Sequence, residues 1–320
     1  MTHLHLPLTF VRDLTDNFET RHQHARAARV KAERRVARGV YMDAALWAQL
    51  DIDAKYAARV CAVALTRRSK PVLSHWSAAV LHGLPVLDSW PNAVHTTQSG
   101  DVSRYSSQFV RHNRTLDPAE IVEVDGMLVT SVARTVLDIA TVASRATAVA
   151  MADRAILVDR FGKRQPLTTK KELREVWEHG LPFRGHVRSL DVIEFAETRA
   201  ESPLESLSRV TMRELGFPTP ELQVDHYDDD GFIGATDFTW PEFGIVGESD
   251  GLGKYLKPEL RGQRSAGQVV VEEKLREDRL RAKHLAFRRW GWSVAQEPAR
   301  LRAVLVSVGL PTGIRHPRRR

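Results

Sequence analysis

Cysteine is almost missing from this 320-residue chain. Cys61 stands alone, which excludes an intrachain disulfide framework and any cysteine-rich zinc site. A reducing cytoplasm is the expected compartment. Aromatic residues make up only 7%, yet 42% of the chain is hydrophobic, enough for globular cores. No apolar run approaches membrane-spanning length, so no membrane partner is expected. The start, Met1-Thr-His-Leu-His-Leu-Pro-Leu8, has neither the basic nor the long apolar region of a secretory signal. Also missing are a Gly-x-Ser-x-Gly elbow, a Gly-x-x-x-x-Gly-Lys-Ser/Thr loop and a His-Glu-x-x-His pair. Their absence argues against nucleotide hydrolysis and zinc proteolysis. The five methionines are scattered, so no methionine-rich groove is indicated.

What is present is basic charge. The formal net charge is +7, with arginine-rich stretches at 21–38 and at Arg315-His-Pro-Arg-Arg-Arg320. Such an excess favours polyanionic partners, DNA first. A chain of this length accommodates two domains.

Residues 9–60 read as helical, being rich in Ala and Arg with no Pro or Gly between Pro7 and Gly39. The layout near Arg38-Gly39-Val40-Tyr41 suits a helix leading into the wing of a winged helix-turn-helix, or a surface helix capped by Gly39. Ser74 is placed to cap a short buried helix that stops at Gly83-Leu-Pro85. Extended runs follow at 93–97, 108–112 and 127–130, then a helix at 132–140. His75 and His82, seven apart, read as packing or hydrogen-bonding residues and not metal ligands. Arg134 and Asp138 read as a helix salt bridge.

Four acids and a lysine gather in the C-terminal third: Glu205, Asp237, Glu248, Asp250 and Lys254. Asp237 begins one apolar run, Glu248 ends the next, and Pro241-Glu-Phe-Gly244 joins them as a tight connection. A hairpin of this kind brings the two carboxylates together. Carboxylates that close need a hard cation or a raised pKa, which is the pattern of a magnesium site for phosphodiester chemistry. Ser202-Pro-Leu-Glu205 is a helix start in which Glu205 has two readings, N3 of a capping box or a third metal-site carboxylate.

Two resemblances follow from these residues. Ser74-His-Trp-Ser-Ala-Ala-Val-Leu-His-Gly-Leu-Pro85, with Val129-Thr-Ser-Val-Ala-Arg-Thr-Val-Leu-Asp138 downstream, resembles the AbiEi-type antitoxin family of actinobacterial proteins over roughly 30–150. That resemblance implies a winged-helix segment, DNA binding and transcriptional regulation, with a toxin protein as a second partner. Ser202-Pro-Leu-Glu205, Asp237, Glu248 and the helix Glu272-Glu-Lys-Leu-Arg-Glu-Asp-Arg-Leu-Arg281, with a last strand at Gly291-Trp-Ser-Val294, resemble the PD-(D/E)XK nucleases near the very-short-patch-repair endonucleases over roughly 200–297.

The resemblance implies Asp237, Glu248 and a lysine as catalytic residues, with Glu205, Asp237 and Glu248 around Mg²⁺ or Mn²⁺. Asp250 stands where the superfamily lysine is expected. Lys254 is the best local replacement, with Lys274 and Arg276 as alternates. Lys257, Arg261, Arg264, Lys274, Arg276 and Arg281 are candidate DNA contacts. His284, Arg288 and Arg289, read at the end of the last helix, add a basic rim.

The expected organisation is a helical 1–60 with a degenerate winged helix, an antitoxin-like α+β domain at 61–160, a linker at 161–195, a nuclease-like domain at 196–300 and a basic tail at 301–320. The N-terminal part is expected to be α+β. The C-terminal part is expected to be an α/β restriction-endonuclease-like domain with a central mixed sheet flanked by helices. The expected function is metal-dependent DNA cleavage. The alternative is a catalytically inactive DNA-binding regulator or antitoxin.

Overall fold

The computed structural model describes residues 6–13, 23–24, 26–27, 32–67, 69–100, 108–250, 266–283 and 285–313, without the side chains of 266–271 and 273. The chain divides into two compact units, Met1–Ala143 with Thr168–Leu190, and Ser144–Leu167 with Asp191–Arg320. Both contain helices and mixed or antiparallel sheet.

In the first unit the expected helical start gives way to a strand at 9–10 and a hairpin at 33–43, while 23–24, 26–27, 44–49 and 52–65 are helical. Strands β1 (Thr9–Phe10), β2 (Glu33–Ala37) and β3 (Val40–Asp43) form an antiparallel sheet in the order β1-β3-β2. Gly39, the residue that reads as a helix cap, is instead in the two-residue turn between β2 and β3, with φ of 75°. That left-handed conformation is open to glycine at no steric cost. Val40, Tyr41 and Met42 are all buried, and burying this run outweighs the helix preference of the Ala and Arg before it.

Helices α1 (Ala44–Gln49) and α2 (Ile52–Leu65) start where Asp43 and Asp51 accept backbone N–H groups of the first turn. A five-stranded mixed sheet follows, of β4 (Val72–Leu73), β5 (Val94–Gln98), β6 (Phe109–Asn113), β7 (Ile121–Val124) and β8 (Met127–Thr130) in the order β6-β5-β4-β8-β7. The three expected extended runs are β5, β6 and β8, whereas β7 had no sequence signal beyond four residues. Helices α3 (His75–Leu81) and α4 (Val132–Val142) lie at the two expected stretches; Ser74 stands at the start of α3 but makes no capping bond, its hydroxyl accepting instead from Thr97.

Residues 141–200 carry three helices, in keeping with the Ala-rich run at 143–158 and the Thr168-Thr-Lys-Lys-Glu-Leu173 helix start. Helix α5 (Arg145–Ile156) belongs to the second unit and α6 (Lys170–Gly180) to the first, where it packs on α4. Helix α7 (His186–Phe195) begins among residues of the first unit and ends among those of the second.

The second unit runs α8 (Pro203–Glu214), β9 (Glu221–Asp228), β10 (Gly231–Trp240), β11 (Ile245–Ser249), α9 (Ala266–Ala282), β12 (Ala286–Trp290), α10 (Trp292–Ala295) and α11 (Pro298–Val306). Its four strands lie in sequence order, antiparallel except for the parallel pair β11 and β12. One face packs Phe238, Trp240, Ile245 and Trp290 with Leu204 of α8 and Leu301 and Leu305 of α11. The other packs Ile233, Val246 and Phe287 with Leu280 of α9. Strand β11 is buried from end to end, as befits a strand covered on both sides.

Gly247 fits that packing by having no side chain. A Cβ there would meet the Trp290 ring at 2.6 Å. Two expectations are corrected. The last strand is Ala286–Trp290 and not Gly291–Val294, because Phe287 and Trp290 supply the buried positions beside β11 and the chain turns helical after Gly291. The stretch 301–320 is not simply a basic tail, since Leu301, Leu305 and Leu310 are core residues. Residues 314–320 lie outside the described residues. Among the described residues no helix is long and apolar enough to cross a membrane.

Candidate active site

The strand registers build a row across the second sheet. Thr236 pairs with Val224 and Phe238 with Leu222, which sets Asp237 opposite Gln223. One step beyond the Phe238 and Gly247 pair, Asp237 has Glu248 beside it, and Glu248 pairs with Arg289. Gln223, Asp237, Glu248 and Arg289 are thus one residue from each of four neighbouring strands. Phe238 and Ile245 face the α8 side while Val246 faces α9, so the alternation of strands turns Asp237 and Glu248 toward α9.

Each carboxylate has defined partners. Asp237 Oδ1 accepts from Gln223 Nε2 at 3.1 Å, and Oδ2 accepts from the Ser249 backbone N–H at 2.8 Å and its hydroxyl at 2.7 Å. Glu248 accepts from Arg289 Nη2 at 2.7 Å and from Arg276 Nη2 of α9. Asp237 and Glu248 are 8% and 9% exposed, so these partners and not water supply most of their compensation.

Glu205 lies under this row. Its carboxylate accepts from Gln223 Nε2 at 3.2 Å and from the Glu201 backbone N–H at 3.0 Å. Ser202 caps α8 by accepting from the Glu205 N–H. Only half of the capping box therefore forms, and the Glu205 carboxylate turns to the site. Burial, and then the negative charge of Asp237, push its pKa up to about 8. The direction of that shift favours the neutral carboxyl beside the Asp237 carboxylate.

Gln223 carried no motif, and it holds the two acids together. Its φ of 51° is in the left-handed region that non-glycine residues seldom occupy. The row opens into a cleft of about 420 Å³ lined by Asp237, Glu248, Asp250, Arg160, Arg276 and Arg289, among others. A larger cleft of about 630 Å³ in the first unit has Arg12, Arg38 and Arg67 on its wall and, among the described residues, no carboxylate.

Of the cations expected from sequence, Arg276 reaches Glu248. Arg289 does so from β12, not from the end of a helix, and Arg288 is on the same strand. Lys274 is exposed, and Arg281 pairs with Glu277 on its own helix. Lys254, Lys257, Arg261, Arg264 and His284 lie outside the described residues.

Oxygen donors of this kind are what Mg²⁺ or Mn²⁺ takes, and the repulsion between the Glu205 and Asp237 carboxylates is what a divalent cation would relieve. The donor set therefore fits a hard cation in kind. As arranged, Glu248 is neutralised by arginines. Among the described residues no group of three or more His, Cys, Asp or Glu is drawn together as metal ligands.

A second buried polar group, in the first unit, had only partial sequence signals. His75, at φ 50°, stacks on His112 with ring centroids 3.4 Å apart, and His112 Nε2 is 3.0 Å from His95 Nδ1. Asp138 lies 3.7 Å from His75 Nδ1 and pairs with Arg134, which is 2% exposed. The Arg134–Asp138 pair is thus buried, beyond a surface helix bridge. Burial, then the neighbouring imidazoles, push His95 down to about 3, and burial followed by His75 pushes His112 down to about 4. His82 contacts the Thr130 carbonyl at 2.8 Å, in keeping with a hydrogen-bonding role.

Two curated proteins of Mycobacterium tuberculosis are similar to this chain, Uncharacterized protein MT2308 of strain CDC 1551 / Oshkosh and Uncharacterized protein Rv2248 of strain H37Rv. Each is 28% identical over 182 residues, covering 57% of this chain and 63% of the relative. The chain thus matches under two thirds of these relatives' length. No protein-family model matches the chain, and no solved structure matches it significantly.

Proposed function

We propose that the second unit is a nucleic-acid phosphodiesterase of the PD-(D/E)XK type that hydrolyses DNA with Mg²⁺ or Mn²⁺. The observation that carries this reading is the placing of Asp237 and Glu248, from two neighbouring hairpin strands, in one cleft, with Glu205 joined to Asp237 through Gln223. The mixed sheet flanked by helices agrees with the layout that the resemblance implies.

Asp237 and Glu248 would hold the cation and Glu205, once deprotonated, one of its waters. The cation supplies charge to offset the developing phosphorane and a water of lowered pKa. The chain's own residues do the rest. Gln223 fixes the spacing of Glu205 and Asp237, and Ser249 orients Asp237. Arg276 and Arg289 take the place of the superfamily lysine in bringing positive charge to the site, where they can engage phosphate oxygens.

A second reading rests on those same arginines. Glu248 already has two guanidinium partners, so a domain that binds phosphates without cutting them also fits. For the first unit we infer an antitoxin-like, DNA-directed role with the β2–β3 hairpin as a wing, supported by exposed Arg34, Arg35 and Arg38 on it.

Incubating labelled DNA with the full chain and Mg²⁺ separates the two readings of the second unit. Cleavage that Glu248→Gln abolishes supports the phosphodiesterase. A mobility shift without cleavage, surviving Glu248→Gln, supports the binding module.

A further inference from the structure

The carboxylate cleft has an aromatic rim. Phe161, in the turn after α5, is 70% exposed, and Phe232 on β10 is 52% exposed. Both rings line the cleft that holds Asp237 and Glu248. A single exposed phenylalanine is ordinary on a protein surface. Two of them at the mouth of one charged cleft form a patch with a definable ligand chemistry.

The local backbone presents Phe232 outward. The β9–β10 register shifts between Phe232 and Gly234, a bulge that leaves Ile233 buried and Phe232 in solvent. Tyr227, paired with Phe232 across the strands, is also exposed, with its ring 5.3 Å from that of Phe232. Cations accompany the rings. Arg160 and Lys163 sit 5.3 and 5.5 Å from the Phe161 centroid, and Arg276 and Arg289 also line the cleft.

Flat apolar rings alternating with guanidinium groups match the two parts of a nucleotide, base and phosphate. A base offers its face to such a ring only when it is unpaired and unstacked, since a duplex covers both faces with neighbouring bases. We propose that this cleft takes unpaired nucleotides of a single strand, with Phe161 and Phe232 as stacking platforms and the arginines on the phosphates. The proposal rests on the reading of the second unit as a phosphodiester-directed site and names its substrate class.

Fluorescence anisotropy with the full chain tests it, using labelled oligo-dT, oligo-U and a DNA duplex of the same length, in EDTA so that no metal-dependent cleavage intervenes. The expected result is a single strand bound about ten-fold more tightly than the duplex. Phe161→Ala and Phe232→Ala should each lose about ten-fold on the single strand and leave duplex binding unchanged. Phe161→Tyr and Phe232→Tyr, which keep a ring, should bind as the wild type does, and thermal melting checks that each variant is folded. The dT and U arms tell DNA from RNA, and preference for either over duplex supports the proposal.

Equal affinity for duplex, or alanine variants that bind single strands unchanged, overturns it. So does absence of binding to all three probes. Duplex cleavage indifferent to both phenylalanines would overturn the stacking proposal and leave the phosphodiesterase reading standing. Phenylalanine-dependent single-strand binding without cleavage in Mg²⁺ would do the reverse.

Discussion

Glu205 and Asp237, 32 positions apart by their numbering and on different elements, accept hydrogen bonds from one amide nitrogen, Gln223 Nε2, at 3.2 and 3.1 Å. That shared donor is the pivot of the site. It holds two acids close enough for one to raise the pKa of the other.

The first consequence concerns pH. Glu205 has a folded pKa near 8, above its unfolded value, so the folded state binds the extra proton between the two. The stability it contributes is fully present below the unfolded value, about 4.3 for a free glutamate, and is lost as pH rises toward 8. Urea midpoints measured across this range should fall with rising pH in the wild type and fall less in Glu205→Gln.

Gln223 combines an amide that two acids need with a backbone conformation that glutamine disfavours. Gln223→Ala should destabilise the second unit by about 1–3 kcal/mol, the usual cost of stranding buried polar partners. Gln223→Gly loses the same amide but relieves the positive φ, worth about 1 kcal/mol. Chemical denaturation should therefore rank wild type above Gly and Gly above Ala.

Arg276 and Arg289 compete with any cation for Glu248. Arg276→Met should tighten Mg²⁺ binding by about ten-fold, as removal of a charge-assisted partner suggests, and weaken nucleic-acid binding. Calorimetric Mg²⁺ titration and anisotropy of the same variant check both signs. An unchanged Mg²⁺ affinity would show that the arginine does not occupy a metal position.

The imidazole cluster of the first unit gives the opposite pH slope. His95 and His112 titrate near 3 and 4 in the folded state, below an unfolded histidine near 6.5. The unfolded chain binds the extra protons, so this contribution is fully present above about 6.5 and is lost as pH falls toward 4. Melting temperatures should drop between pH 7 and 5, and His112→Asn should flatten that drop.

How far the sequence speaks for the structure depends on the kind of signal. Ser74 and Ser202 announce their helices because a short polar residue before an apolar periodic run is a local device, though only Ser202 closes the capping bond. Asp237 and Glu248 could be paired in advance because a tight connection fixes which ends of two strands meet. Gln223 was silent, since a neutral polar residue in a strand has no chemistry of its own until the register sets it between two acids. Arg289 was misplaced onto a helix because its neighbours are basic, and only the parallel pairing with Glu248 identifies β12. The first strand of the hairpin, Glu33–Ala37, reads as helix because Ala and Arg favour helix locally while the burial that decides the matter is tertiary. His95 and His112 meet only through the β5–β6 pairing, which spacing along the chain cannot reveal.

The proposed phosphodiesterase role requires Glu205, Asp237 and Glu248 to bind a divalent cation. Its most direct test is a calorimetric titration of Mg²⁺ and Mn²⁺ into the wild type and Asp237→Ala, followed by incubation of the same samples with plasmid and single-stranded DNA. Metal binding and cleavage are expected in the wild type, with loss of both in the variant. A wild type that binds neither ion and leaves both DNAs intact would contradict that role and leave a module that binds without cutting.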